Sequence, residues 1–372
     1  MPLKTKLQAA LFRFSAAGIG VGAFAVAAEI VLRFLPVTES FNSMPVDAPN
    51  PVFRCQPDRT VSWSAFWNFS MRNVVRMNNF GFASNIDYAP HATRPLLALI
   101  GDSFVEALAV PWPQTGAGRL HEALAEQARV YAFAKSGAPL SQYLIYAEYA
   151  RQNFYPQALI VVVVANDFDE SLLAYKRSPA GFHYLARDTL GQTLLQRVDY
   201  RISFWKKLVR RSALGMYLTV NLEVSRLYYL ARHYLTREKF VGNTLAGADS
   251  LRVAQSQWVV DNFLSLLPEK SGLAASRILL VIDGIRPQLY DEESRRAATS
   301  SYFGIMRQYF LEHAAIHGFE VIDMQPLFIN HYQRHGRRFE FPRDNHWNSL
   351  GHALFAEAVL RSQTLKRTFL QQ

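Results

Sequence analysis

Two short stretches far apart in the chain hold residues whose types can do chemistry together. Gly101-Asp102-Ser103 ends the apolar run Leu96 to Ile100, and Asp344-Asn345-His346-Trp347-Asn348 lies near the carboxyl end. A serine hydroxyl is a weak nucleophile near neutral pH and needs a base within hydrogen-bond reach. His346 offers an imidazole, and Asp344, two residues earlier, can orient that ring and stabilise its protonated form. Attack on a carbonyl also needs donors aimed at the developing oxyanion. The candidates are the Ser103 N–H, the Gly137 N–H in Ser136-Gly137-Ala138, and the Asn166 amide in Ala165-Asn166-Asp167. At Gly137 the missing side chain lets backbone approach a substrate closely. Together these residues point to acyl-transfer chemistry at Ser103, that of an esterase or acyltransferase.

The elements that must position them read as apolar runs bounded by turn signals: Leu96 to Ile100, Val130 to Ala134, Leu159 to Val164, Ile278 to Ile282 and Phe319 to Ile322. Helical patterns over Gly118 to Gln127 and Leu140 to Asn153 separate them, so the alternation predicts a parallel sheet between helices in a three-layer α/β/α core. Ser103, Gly137 and Asn166 then follow the first three strands, at the carboxyl edge where open α/β sheets place ligands. Leu350, Ala353, Leu354 and Leu360 have helical spacing, which predicts that Asp344 and His346 occupy the loop before the last helix. Each motif alone has a plainer reading: Gly-Asp-Ser as a capped turn, Gly137 as a strand end, Asn166 as a backbone cap, His346 as an ordinary loop histidine. Four of them in this order favour catalysis. His352, Asp102, Asp167 and Trp347 are expected to be structural or pocket-lining.

The blocks Gly101-Asp102-Ser103-Phe104, Ser136-Gly137, Asn166-Asp167 and Asp344 with His346 resemble, in that order, the SGNH hydrolases, also called the GDSL lipase/esterase family. The resemblance covers residues 95 to 170 and 275 to 360. It implies a flavodoxin-like α/β/α fold, Ser103 as nucleophile, His346 as base, Asp344 as its orienter, and an oxyanion hole of Ser103, Gly137 and Asn166. Arg76-Met77-Asn78-Asn79-Phe80-Gly81-Phe82, behind an N-terminal anchor, further resembles membrane-tethered bacterial members. Two positions depart from the pattern. Arg343 stands where the family usually has its Asp, three residues before His, and Val164 stands where the third block usually has Gly. The Asp-x-His-Trp arrangement resembles instead the alginate O-acetylation branch of the superfamily, which implies that transfer of the acyl group is an alternative to hydrolysis.

Half of the 372 residues are hydrophobic and only 19% are charged, which excludes wholesale disorder and suits one α/β core with insertions. The net charge of +10 comes without a nucleic-acid-binding motif, so no nucleic-acid partner is expected. Cys55 is the only cysteine, which excludes an intrachain disulfide and disfavours a Cys-ligated zinc. His313 and His317 are four apart, yet Ala314 stands where a zincin needs its Glu. Neither metal nor cofactor is expected.

From about Leu11 to Leu32 the chain is apolar and long enough to cross a bilayer, and Lys4, Lys6 and Arg13 before it predict a cytoplasmic N-terminus with the remainder exported. Ala25-Val26-Ala27 also fits a signal-peptide cleavage site, and a buried core helix is the third reading. The expected organisation is a cytoplasmic tip and transmembrane helix over 1–35, a proline-bearing stalk and N-terminal extension over 36–94, and a hydrolase-like domain over 95–372. That domain should carry a helical insertion at about 168–270. From Arg197 to Lys239 the insertion has ten Lys or Arg, among them Lys206, Lys207, Arg210, Arg211, Arg226, Arg232 and Arg237, interleaved with Phe204, Trp205, Leu208 and Val209. Such a stretch suits an anionic lipid surface or an acidic polymer, or equally a solvated cationic face over the core. The expected activity is hydrolysis of an O-acyl ester on an acylated envelope glycan or lipid. The alternatives are an O-acyltransferase of an envelope polysaccharide and a non-catalytic polymer-binding scaffold.

Overall fold

Five hydrophobic runs become the five strands of one parallel sheet in the computed structural model, whose described residues are 3–224 and 239–370. We number them β1 (Leu96–Gly101), β2 (Arg129–Ala134), β3 (Ala158–Val163), β4 (Ile278–Ile282) and β5 (Glu320–Asp323). Their order across the sheet is β2-β1-β3-β4-β5, the flavodoxin-like arrangement. Ile100 lies opposite Phe133 on one side and Val161 on the other, and Val163 lies opposite Ile282. Every residue of β1 to β4 is buried, which explains why these strands read as continuous apolar runs and not as alternating ones: helices cover both faces. One face, with Ile100, Phe133 and Val161, packs against Leu140–Phe154 and Ser250–Ser271. The other, with Leu99, Ala132 and Val162, packs against Gly116–Ala123, Met324–His335 and Ser349–Leu360.

The chain leaves β1 for β2 on one side and returns to β3 on the other, so the crevice at the carboxyl ends of β1 and β3 is the topological switch point. Gly101 makes the turn there possible. A Cβ on it would stand 2.4 Å from Val105 Cγ2, in the helix Ser103–Glu106 that folds directly back over the strand end. Asp102 caps that helix, its Oδ1 accepting the Phe104 N–H at 2.9 Å.

The region expected as a helical insertion is mixed. His183–Arg187 and Thr193–Arg197 form an antiparallel hairpin, and Phe240–Val241 with Thr244–Leu245 form a second one. Turn chemistry decides the first: Asp188 Oδ1 accepts the N–H groups of Leu190 and Gln192, each at 2.8 Å, and Gly191 takes a positive φ of 78°. Ser250–Ser271 is not part of a peripheral insertion at all but a core helix leading into β4, burying Val259, Val260, Phe263 and Leu264.

By its contacts the chain divides into two compact units, one made of residues up to Phe41, Val61–Val74 and the segment from Ile202, the other of Asn42–Thr60, Val75–Arg201 and the remainder. In the larger unit, most of the proline-bearing segment is not a free stalk. Val46, Val52, Phe53 and Cys55 are buried, Val46 pairs with Tyr200, and the Tyr146 hydroxyl donates to the Phe53 carbonyl at 2.9 Å. Burial of these apolar residues between prolines outweighs the tendency of the prolines to extend. In the smaller unit the helix Leu3–Leu32 contains a 22-residue stretch, Leu11–Leu32, long and apolar enough to cross a membrane. Arg226, Arg232 and Arg237 of the basic region lie outside the described residues.

Gly101→Ala is expected to lower stability by about 1–3 kcal/mol, the usual range for overpacking. A thermal melt of the variant, together with an activity assay, measures whether the Ser103 turn has been pushed open.

Candidate active site

Ser103 is the first residue of the helix Ser103–Glu106, and His346 comes to it from the other end of the chain. Asp344–Trp347 is a short strand paired antiparallel with Glu340–Phe341, where the sequence predicts a loop. The strip is held from below: Asn348 caps the helix Ser349–Leu360 by accepting the Leu350 N–H at 2.9 Å, while its own amide donates to the Glu340 carbonyl at 3.0 Å. His346 Nε2 lies 2.7 Å from Ser103 Oγ. The close Asp-x-His spacing works because one carboxylate oxygen serves twice: Asp344 Oδ1 accepts the His346 backbone N–H at 2.8 Å and meets the ring Nδ1. With Nδ1–H assigned to Asp344, Nε2 is the unprotonated nitrogen, placed where it can accept the proton of Ser103 Oγ.

Burial opposes the charged form of His346, but the hydrogen bond and charge of Asp344, helped by Asp102, outweigh it and hold the imidazole pKa above the ordinary histidine value. Asp102 is buried, and burial raises its own pKa; its Oδ2 lies 3.1 Å from Ser103 Oγ. His352 is buried and has its pKa pushed down to about 3, with Nδ1 accepting the Gly116 N–H at 3.2 Å, so it serves the fold as a neutral ring. Asp167 is also buried, accepting from the Tyr143 hydroxyl at 2.9 Å and the Val164 N–H at 2.8 Å.

Gly137 and Asn166 stand beyond β2 and β3, the two neighbours of the serine-bearing β1. Gly137 has φ +78°, the left-handed region that favours glycine. The two positions are tied together by an ion pair that the motifs do not contain. Glu170 Oε2 accepts from the Asn166 side-chain amide at 2.8 Å and pairs with Lys176, whose Nζ donates to the Gly137 carbonyl at 2.6 Å. An amide nitrogen carries two hydrogens, so holding one on Glu170 fixes the direction of the other.

Asp283 and Arg286, just beyond β4, support the histidine strand in the same way. Asp283 Oδ1 accepts the Trp347 indole N–H at 2.9 Å and the Arg286 Nε–H at 3.2 Å, while Arg286 Nη1 donates to the Asn345 carbonyl at 2.7 Å. Trp347 is buried and edge-on to Phe104, the residue after the serine, with ring centroids 5.3 Å apart. The available signal for Asp283 was its place at the end of the fourth apolar run, and for Glu170 its i, i+4 spacing from Asn166. The second hairpin reaches both sides as well: Asn243 hydrogen-bonds Asn166, and the Gly242 carbonyl accepts from Asn345 at 3.1 Å. Among the described residues no cluster of His, Cys, Asp or Glu is arranged to hold a metal ion.

Two outcomes follow from this geometry. Activity should fall as pH drops through the raised pKa of His346, because the protonated ring cannot accept the serine proton; the acid limb of kcat/KM should therefore lie above the ordinary histidine value of about 6.5. Asp344→Asn should move that limb down and reduce kcat by up to ~10⁴, as measured in a pH–rate profile. Glu170→Gln should lower kcat by about tenfold to a hundredfold, less than the 10² to 10³ of losing an oxyanion donor outright, with KM nearly unchanged. Steady-state kinetics reads this directly.

No protein-family model and no curated protein sequence matches the chain. Among solved structures, it is similar to a member of the lipolytic G-D-S-L family from Veillonella parvula, at 11% identity over 72% of this chain and 98% of that one, TM-score 0.37. It is also similar to a lipase/acylhydrolase from Enterococcus faecalis, at 13% identity over 73% and 95%, TM-score 0.39. A third is a two-domain esterase active on acetylated mannans, at 11% identity over 74% of this chain and 50% of that one, TM-score 0.35. By its own sheet order, its four motif blocks and the meeting of Ser103 with His346 at one sheet edge, the chain has the flavodoxin-like fold and the motif order of the SGNH hydrolases.

Proposed function

We propose that the chain is a serine ester hydrolase, tethered by Leu11–Leu32 with its catalytic unit on the exported side of the membrane, that removes O-acyl groups from an envelope glycan or lipid. The observation that carries the chemistry is the 2.7 Å contact of Ser103 Oγ with His346 Nε2, with the other ring nitrogen on Asp344. Ser103 Oγ attacks the ester carbonyl while its proton passes to Nε2, and Asp344 stabilises the imidazolium. The oxyanion is received by the Ser103 and Gly137 N–H groups and the Asn166 amide. Collapse of the tetrahedral intermediate expels the alcohol, which takes its proton from His346. Water, deprotonated by the same ring, then releases the acid and frees Ser103. A sugar hydroxyl replacing water in the second half would make the same residues an O-acyltransferase, the reading favoured by Asp344-Asn345-His346-Trp347.

A fluorophosphonate probe tests the nucleophile in the full-length protein. Wild type should be labelled and Ser103→Ala should not; equal labelling of both, or of neither, would remove the serine mechanism and return the scaffold reading. With an acetylated glycan as substrate, free acetate distinguishes hydrolysis from transfer, in which the acetyl group appears on an added glycan acceptor.

A further inference from the structure

In the smaller unit the helix Phe204–Val209 leaves its apolar side chains uncovered. Phe204 and Trp205 are each 72% exposed, Leu208 53% and Val209 40%. These four positions, i, i+1, i+4 and i+5, share one face of a helix. Lys206 and Lys207 stand between them, and Arg210 and Arg211 follow.

Glu29, three residues before the end of the apolar span, holds the start of the helix that follows, Ala213–Met216. Its carboxylate accepts the Ser212 hydroxyl at 2.7 Å and the N–H groups of Ala213 and Leu214 at 3.1 and 2.8 Å. Leu32, Val37 and Met216 close a small apolar core beside that contact. Since each residue spans at most about 3.6 Å, Val209 lies within about 11 Å of Ser212. The helix Phe204–Val209 thus leads, within three residues, into a segment held at the last turn of a helix of membrane-crossing length.

We infer that Phe204–Arg211 is a second, interfacial anchor on the bilayer that Leu11–Leu32 crosses. Its apolar face enters the boundary between acyl chains and headgroups, and Lys206, Lys207, Arg210 and Arg211 meet anionic phosphate headgroups. An acidic polymer would engage the four cations but would leave Phe204, Trp205, Leu208 and Val209 in water, whereas a bilayer satisfies both sets. This inference rests on the anchor reading of Leu11–Leu32.

The test is site-directed spin labelling of the full chain in vesicles of phosphatidylethanolamine and phosphatidylglycerol, in a Cys55→Ser background. A nitroxide at Phe204→Cys should be several-fold more accessible to oxygen than to a water-soluble nickel chelate. Aqueous behaviour at Phe204 with hydrocarbon behaviour at Ile19→Cys overturns this inference alone; aqueous behaviour at Ile19 overturns the membrane-crossing reading and this inference with it. Replacing phosphatidylglycerol by phosphatidylcholine should shift the Phe204 label toward water, and an unchanged depth would overturn the assignment of the four cations to anionic headgroups.

Discussion

The hydrogen bond between Ser103 Oγ and His346 Nε2 joins residues 243 positions apart, and the rest of the structure is organised around holding its two ends in place. As a stabilising contact it is minor, since a typical protein hydrogen bond contributes about 1 kcal/mol net. As a geometric constraint it is severe, because a base acts only within roughly 2.6–3.2 Å of the proton it takes. The serine end is fixed by a fully buried strand, a glycine that admits a tight return, and an aspartate that caps the first turn. The histidine end has no central strand beneath it and depends on side chains: Asp344 on the ring, Asn348 on the strip, and the Asp283–Arg286 pair reaching Trp347 and Asn345.

That pair and the Glu170–Lys176 pair share a physical logic. Ion pairs withdrawn from water, fully for Asp283–Arg286 and in part for Glu170–Lys176, recover little net stability after desolvation, so their effect lies in fixing orientation. Arg286 is buried, and its guanidinium sets the carbonyl next to His346; Lys176 and Glu170 set the peptide of Gly137 and the amide of Asn166 relative to one another. The proposed catalytic centre thus has one ionic brace on its base and one on its oxyanion side, each made from residues in a segment that follows a sheet strand.

Much of this was legible in the chain because burial on both sheet faces writes continuous apolar runs, and Gly-Asp-Ser, Ser-Gly and Asn-Asp each end one of them. The Asp-x-His spacing is legible as a departure but not as a solution: only the folded structure shows one carboxylate oxygen receiving both the ring and the backbone N–H. The braces were hidden for a different reason, since the Lys176 partner Gly137 lies 39 residues earlier and nothing local marks the pairing. The proline-bearing segment misled because Val46, Val52 and Phe53 are buried by contacts distant in sequence. Ser250–Ser271 reads as part of the insertion because the hundred residues before β4 interrupt the strand-helix rhythm that marks a crossover helix.

The central claim is that Ser103, activated by His346, carries the acyl group. Rapid mixing of the full-length protein with p-nitrophenyl acetate tests it most directly, followed by acid quench and peptide mass mapping. The account predicts a burst of about one nitrophenolate per chain, as expected for an acyl-enzyme, with the acetyl group on Ser103 and the burst abolished in His346→Ala. Steady hydrolysis without a burst, or an acetyl group mapped to another residue, would contradict it.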